Sequence, residues 1–304
     1  MKLFISLFIM FGLFITGCST PTDTKEKKDV ITVTTTTGQI KDAVVNVGGE
    51  HVEVESLMGP GVDPHLYQAS QGDIRKLTEA EIIFYNGLHL EGKMGEIFEK
   101  MSKNKPTVPI GERIPEDKLI KVDSTYSDPH IWFNIDHWIV VVVGIEEELS
   151  KLSPEHEQQF KQNAEKYIAE LKELKKYATN QMNSIPKEQR ILVTAHDAFA
   201  YFGNAYSMEV RGLQGLSTDS EYGLKDVQDL VDLLVDRQIK AVFIETSISE
   251  RSIQAIVEGA MKKGHTVKIG GELFSDAMGD NGTEEGTYIG MYKHNVDTIV
   301  QALK

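Results

Sequence analysis

One long apolar stripe divides this chain into two similar halves. Phe160, Ala164, Tyr167, Ile168, Leu171, Leu174, Ala178 and Met182 recur at spacings of three and four, the signature of one buried face on an α-helix. Ser153-Pro154 just ahead of it suits a helix start, a capping residue followed by proline. About thirty residues at 1.5 Å each make a helix of roughly 45 Å, long for a globular protein. It is either an ordinary long core helix or a rigid rod that crosses from one lobe to another. On each side of it, short β-branched runs alternate with helical stretches. Before it, runs at 30–37, 51–58, 81–85 and 107–110 alternate with helical patterns at 39–47, 71–80, 94–103 and 135–149. After it, runs at 191–193, 208–213, 241–244 and 266–269 alternate with helical patterns at 198–206, 224–238, 252–263 and 288–303. This order predicts an α/β protein: two (βα)4 lobes, each with a four-stranded parallel sheet, joined by a linking helix. The expected bounds are 30–152 for the N-terminal lobe, 153–185 for the linking helix and 186–304 for the C-terminal lobe.

The N-terminus carries a different signal. Residues 1–17 are almost wholly apolar with Lys2 the only charge, too short for a transmembrane helix and suited to a signal peptide. The run ends at Ile15-Thr16-Gly17-Cys18, a pattern that resembles a bacterial lipobox with Cys18 as the lipidated mature N-terminus. Residues 18–29 then form a polar segment without an aliphatic side chain, expected to be a flexible tether. Lipidation implies an exported protein held on the outer face of a membrane. Cys18 is the single cysteine, so an intrachain disulfide and a cysteine zinc site are both excluded. A formal charge of −14 argues against nucleic acid as a partner.

The chemistry sits beyond the strands. Asp-Pro-His occurs twice, at Asp63-Pro64-His65 and Asp128-Pro129-His130, each in a polar loop after an apolar run. His196, in Thr194-Ala195-His196-Asp197, lies just beyond the run 191–193, and Asp276 lies in a loop beyond 266–269. Any one of these histidines alone would be read as a surface or core residue. Ligands of open α/β sheets bind at the carboxyl ends of strands, and all four residues map there, two from each half. His65, His130, His196 and Asp276 are therefore expected to hold a divalent cation in the cleft between the lobes, with four or five donor atoms. Each proline restricts the preceding aspartate to extended backbone and should stiffen its loop before the ion arrives. Asp63, Asp128 and Asp197 adjoin these histidines, and Glu245 ends a strand. These four acids are candidates to fix imidazole tautomers from behind, a helix N-cap being the alternative role. His51, His137, His156, His265 and His294 are read as solvated or structural; His89 also sits in a loop after a strand, but is not counted among the ligands.

These pieces together resemble the manganese/zinc-binding lipoproteins of bacterial ABC importers, the metal-specific class of solute-binding proteins. The matching motifs are Ile15 to Cys18, Gly61-Val62-Asp63-Pro64-His65, Tyr85-Asn86-Gly87-Leu88, Asp128-Pro129-His130-Ile131-Trp132, Thr194-Ala195-His196-Asp197-Ala198-Phe199, Gly215-Leu216-Ser217 and Leu273-Phe274-Ser275-Asp276-Ala277-Met278. They run in one order over the whole mature chain. The resemblance implies two four-stranded α/β lobes with limited hinge motion, and by position it assigns the ligands to His65, His130, His196 and Asp276. It also implies a monomeric capture protein that delivers its ion to a membrane permease. No phosphate-binding Gly-x-x-x-x-Gly-Lys-Ser/Thr loop is present, so ATP hydrolysis falls to a separate subunit.

The ion itself is less constrained. Affinity at an N/O site favours zinc over manganese. Family members with Glu at the third ligand are typically assigned to manganese, whereas this chain has His196 there. Zinc-dedicated relatives often carry a His- and Asp-rich loop before the second histidine, and residues 115–127 contain no histidine. Mn2+ is the expected cargo and Zn2+ the alternative. A metallohydrolase built on the three histidines would need Asp276 or Glu245 as its base, and no His-Glu-x-x-His helix or nucleophile elbow occurs. The chain is therefore expected not to be an enzyme. A surface adhesin with a structural metal is the remaining alternative. Ion binding should weaken as pH falls through about 6.5, where protons compete for imidazole.

Overall fold

A computed structural model describes residues 30–304. The signal peptide, Cys18 and the tether lie outside the described residues. Eight strands and nine helices follow one another within them. The first half runs β1 (Ile31–Thr35), α1 (Gly38–Gly48), β2 (Val52–Ser56), α2 (Gln71–Glu79), β3 (Ile82–Tyr85), α3 (Gly95–Ser102), β4 (Thr107–Pro109) and α4 (Ile135–Leu152). Its strands form one parallel sheet in the order β2-β1-β3-β4. The element boundaries follow local chemistry. Ser70 and Asp73 make a reciprocal capping box at the start of α2, and Asn134 accepts the N–H groups of Asp136 and His137 to start α4.

The long helix is α5 (Glu157–Met182), 26 residues or about 39 Å. It is shorter than the apolar stripe suggested because Ser153-Pro154 opens a 3-10 turn, Pro154–His156, rather than the α-helix itself. Its buried face carries Phe160, Ala164, Tyr167, Leu171, Leu174, Ala178 and Met182, while Ile168 is only partly buried. This face packs on α1 and α4 of the first half and on α9 of the second.

The second half runs β5 (Ile191–His196), α6 (Ala200–Tyr206), β6 (Glu209–Gln214), α7 (Leu224–Asp236), β7 (Ala241–Glu245), α8 (Arg251–Lys262), β8 (Lys268–Leu273) and α9 (Tyr288–Leu303). Two parallel pairs form, β5-β6 and β7-β8, and β5 lies beside β7. The spatial order thus repeats that of the first half. At the end of the β5/β7 seam, the side chain of Glu245 accepts the N–H of His196 at 2.9 Å, where a strand carbonyl would otherwise serve. Strand β8 extends further than the run 266–269, because Gly270 and Gly271 do not look like strand residues. Gly271 sits at φ +147°, and a Cβ there would meet Thr298 Cγ2 of α9 at 2.4 Å. The glycine lets α9 lie flat on the sheet.

The core explains how the halves hold together. One continuous apolar cluster runs from Val33, Ile40 and Trp138 through Leu171 and Leu174 to Phe199, Phe243, Tyr292 and Ile299. The outer faces of the two sheets have separate clusters. Leu57, Leu77, Ile83 and Phe98 lie under α2 and α3, and Val193, Leu230, Leu234, Ile253 and Ile256 lie under α7 and α8. The strand ends where ligands were expected therefore sit on a well-packed double scaffold.

Candidate metal centre

The repeated tripeptide has a repeated shape. Asp63 Oδ1 accepts the N–H of His65 at 2.9 Å, and Asp128 Oδ1 accepts the N–H of His130 at 2.9 Å. Each aspartate closes a local turn over its proline and aims the histidine two residues on. His65 lies beyond β2, and His130 lies between β4 and α4 at the start of a 3-10 turn, Ile131–Phe133. His196 is the last residue of β5, and Asp276 follows β8.

The structure brings these four side chains together, and they are buried: His65 is 4% exposed, His130 and His196 0%, and Asp276 1%. Among the described residues they form the one group of three or more His, Cys, Asp or Glu side chains spaced to hold an ion. His65 Nε2 is 3.3 Å from His130 Nε2 and 3.5 Å from Asp276 Oδ2. His130 Nε2 is 3.5 Å from Asp276 Oδ1, and His196 Nε2 is 3.3 Å from Asp276 Oδ2. Bonds of ~2.1 Å to a tetrahedral cation would separate neighbouring donors by roughly 3.4 Å. The spacing is thus that of donors facing a common centre.

The four acids proposed to back the histidines divide. Asp128 Oδ1 lies 2.7 Å from His130 Nδ1, and Glu245 Oε2 lies 2.6 Å from His196 Nδ1. These two carboxylates favour a proton on Nδ1, which leaves Nε2 to face the site. Asp63 does not reach an imidazole. Its second oxygen accepts the Thr218 hydroxyl at 2.5 Å instead. Asp197 does not reach one either. Its backbone N–H pairs with Gln214 O at 3.1 Å. Burial raises the carboxyl pKa values of both Asp63 and Asp197.

A buried carboxylate needs a positive charge or hydrogen-bond donors, and neither oxygen of Asp276 accepts a hydrogen bond among the described residues. Burial pushes its pKa up, but the imidazoles, His196 foremost, outweigh that and hold it well below the usual range. His65 is driven down to about 4, chiefly by burial, which Asp276 only partly opposes. His196 goes the other way. Burial lowers it, but the carboxylates of Glu245 and Asp276 win and hold it well above its ordinary value. The pocket is built to share one or more positive charges, whether protons or a cation.

The remaining histidines lie elsewhere. His265 and His294 contact the backbone carbonyls of Ile239 and Glu272, and His51 stacks on His156 at 3.8 Å. His89 packs edge-on against Tyr126 on the rim of a separate cleft of about 640 Å3. Sequence reasoning passed over Gln39, Trp132, Thr218 and Asn295, all of which touch the loops that carry ligands. Only Trp132, two residues past His130, had a positional hint.

The chain is 55% identical over 298 residues to the manganese-binding lipoprotein MntA of Bacillus subtilis (strain 168), covering 97% of each. It is 48% identical over 271 residues to the zinc-binding protein TroA of Treponema pallidum (strain Nichols), covering 89% of this chain and 88% of that one. A solved structure of the periplasmic zinc-binding protein TroA from Treponema pallidum superposes with a TM-score of 0.89 at 47% identity, covering 90% of this chain and 99% of the other. Residues 33–302 match the family described as "Zinc-uptake complex component A periplasmic", and the chain belongs to that family.

Proposed function

We propose that this protein is the extracytoplasmic capture subunit of an ABC metal importer, with His65, His130, His196 and Asp276 as the ligands of a single divalent ion. The observation that carries this reading is the buried carboxylate of Asp276, with no hydrogen-bond donor, facing three imidazole nitrogens at ligand-to-ligand spacing. The ion is cargo, and Mn2+ is the cargo we favour. The Bacillus subtilis relative, named for manganese, matches nearly the full chain at 55% identity. Zn2+ is the alternative, supported by the Treponema pallidum relative and by donor spacings near those of a tetrahedron.

In this reading Cys18 carries lipid and holds the protein on the outer face of the cell membrane, with residues 18–29 as tether. The working unit is a monomer with an N-terminal lobe at 30–152, a linking helix at 153–185 and a C-terminal lobe at 186–304. It delivers the ion to a membrane permease driven by a separate ATPase. A hydrolytic role finds no support in the site, because Asp276 and Glu245, the candidate bases, are engaged with the imidazoles. Elemental analysis of protein purified from its own cells, grown with manganese and zinc both limiting, tests the assignment. Near-stoichiometric manganese supports manganese import, zinc alone supports the alternative, and a metal-free protein refutes capture.

A further inference from the structure

Asp276 is the one anionic donor, and its carboxylate meets only the ligand imidazoles, at 3.3–3.5 Å and none in good hydrogen-bond geometry. The backbone therefore sets its direction, and buried side chains grip that backbone at three consecutive residues. Asn295 of α9 accepts the N–H of Phe274 at 2.9 Å and donates to its carbonyl at 2.7 Å. Trp132 Nε1 donates to Ser275 O at 3.0 Å, and Gln39 Nε2 donates to Asp276 O at 3.1 Å. Gln39 and Trp132 come from the opposite half of the chain and are 0% and 1% exposed. The Trp132 ring also meets the His130 ring edge to face, centroids 5.4 Å apart. One short turn thus ties the second histidine to the carboxylate.

Gln39 is informative in another way. Its amide oxygen is buried and accepts no hydrogen bond. A half-satisfied buried amide weakens a fold relative to an apolar side chain of the same shape. The bond to the Asp276 carbonyl is what the residue contributes.

We infer that Gln39 and Trp132 are positioning residues that hold Asp276 side-on to the ion and thereby favour manganese over zinc. Both oxygens already face the imidazoles, Oδ1 toward His130 and Oδ2 toward His65 and His196. Side-on binding supplies two oxygen donors beside three nitrogens. Zinc is content with four donors, whereas manganese favours larger, oxygen-rich shells. A loosened loop would let the carboxylate turn to one-oxygen binding, which leaves zinc nearly satisfied and strips a donor from manganese.

The inference rests on the proposed capture function, and the test separates the two. Gln39→Met and Trp132→Phe are made singly in the full mature protein. Dissociation constants for Mn2+ and Zn2+ are measured by competition with a chelating dye, together with the melting temperature of the metal-free protein. Manganese affinity should fall about tenfold or more, in the range seen for outer-shell partners, and zinc affinity less than about threefold. The melting temperature of Gln39→Met should hold or rise. Equal weakening of both ions, no weakening of either, or a lowered melting temperature with an unchanged manganese-to-zinc ratio overturns the inference. If Trp132→Phe does not fold, Gln39→Met decides alone. Wild-type protein that binds neither ion overturns the capture function itself and this inference with it.

Discussion

Two histidines in one shell carry opposite electrostatics, and that shapes how protons and ions compete. His65 has its pKa lowered to about 4, mainly by burial, and so faces the site neutral at pH 7. His196 is held well above its usual value, because Glu245 and Asp276 outweigh burial. Protons therefore compete with an ion for His196 up to a higher pH than they do for His65. Calorimetry in buffers of different ionisation enthalpy should report proton release on ion binding that persists above the ordinary imidazole range near 6.5. The window expected from sequence, a simple loss near 6.5, is thus split into a high step at His196 and a low step near 4. The signs for stability follow. The His65 contribution is present above about 6.5 and lost as pH falls toward 4, and the His196 contribution is present below about 6.5 and lost as pH rises through its raised value. The metal-free melting temperature should pass through a maximum, and a bound ion should flatten the alkaline limb. At the same scale, Asp128→Asn and Glu245→Gln should each weaken binding by ~10–100-fold. His130→Ala should weaken it further, with the fold intact by circular dichroism.

Among the elements, α5 decides most. Leu171 on its buried face is 0% exposed within the core that both halves share. Leu171→Ala should lower stability by about 2–5 kcal/mol in denaturant titration, with ion affinity unchanged in the folded protein. The same helix shows what was legible. Its apolar positions repeat every three or four residues, so periodicity alone located it, and the βα order fell out of β-branched runs between helical ones. The end of β8 was not legible, since its glycines gain meaning only where α9 crosses them at Thr298. The expected four-stranded sheet of the second half hydrogen-bonds as two pairs instead, and at the end of the β5/β7 seam Glu245 accepts the His196 N–H from 49 residues away. Local rules cannot supply a bond between residues so far apart.

For the whole molecule, an ion that binds only the folded chain adds stability by mass action, about 4.1 kcal/mol at a thousandfold excess over Kd. Manganese or zinc should raise the melting temperature and a chelator should reverse the rise; a melting curve indifferent to both would remove the ion from the folded state. The ligands were readable because each is a histidine or aspartate beyond a predicted strand, and the fold rule for strand ends collects them. Their supports were not. Asp63 and Asp128 look identical in sequence, yet one turns to Thr218 and the other to an imidazole. Gln39 reaches Asp276 across 237 residues. The most direct measurement is anomalous diffraction at the manganese edge from crystals of manganese-loaded protein. A single strong peak about 2.1–2.2 Å from the Nε2 atoms of His65, His130 and His196, with Asp276 completing the shell, is the predicted result. A peak elsewhere, or none among these four residues in protein shown to carry manganese, would contradict the account.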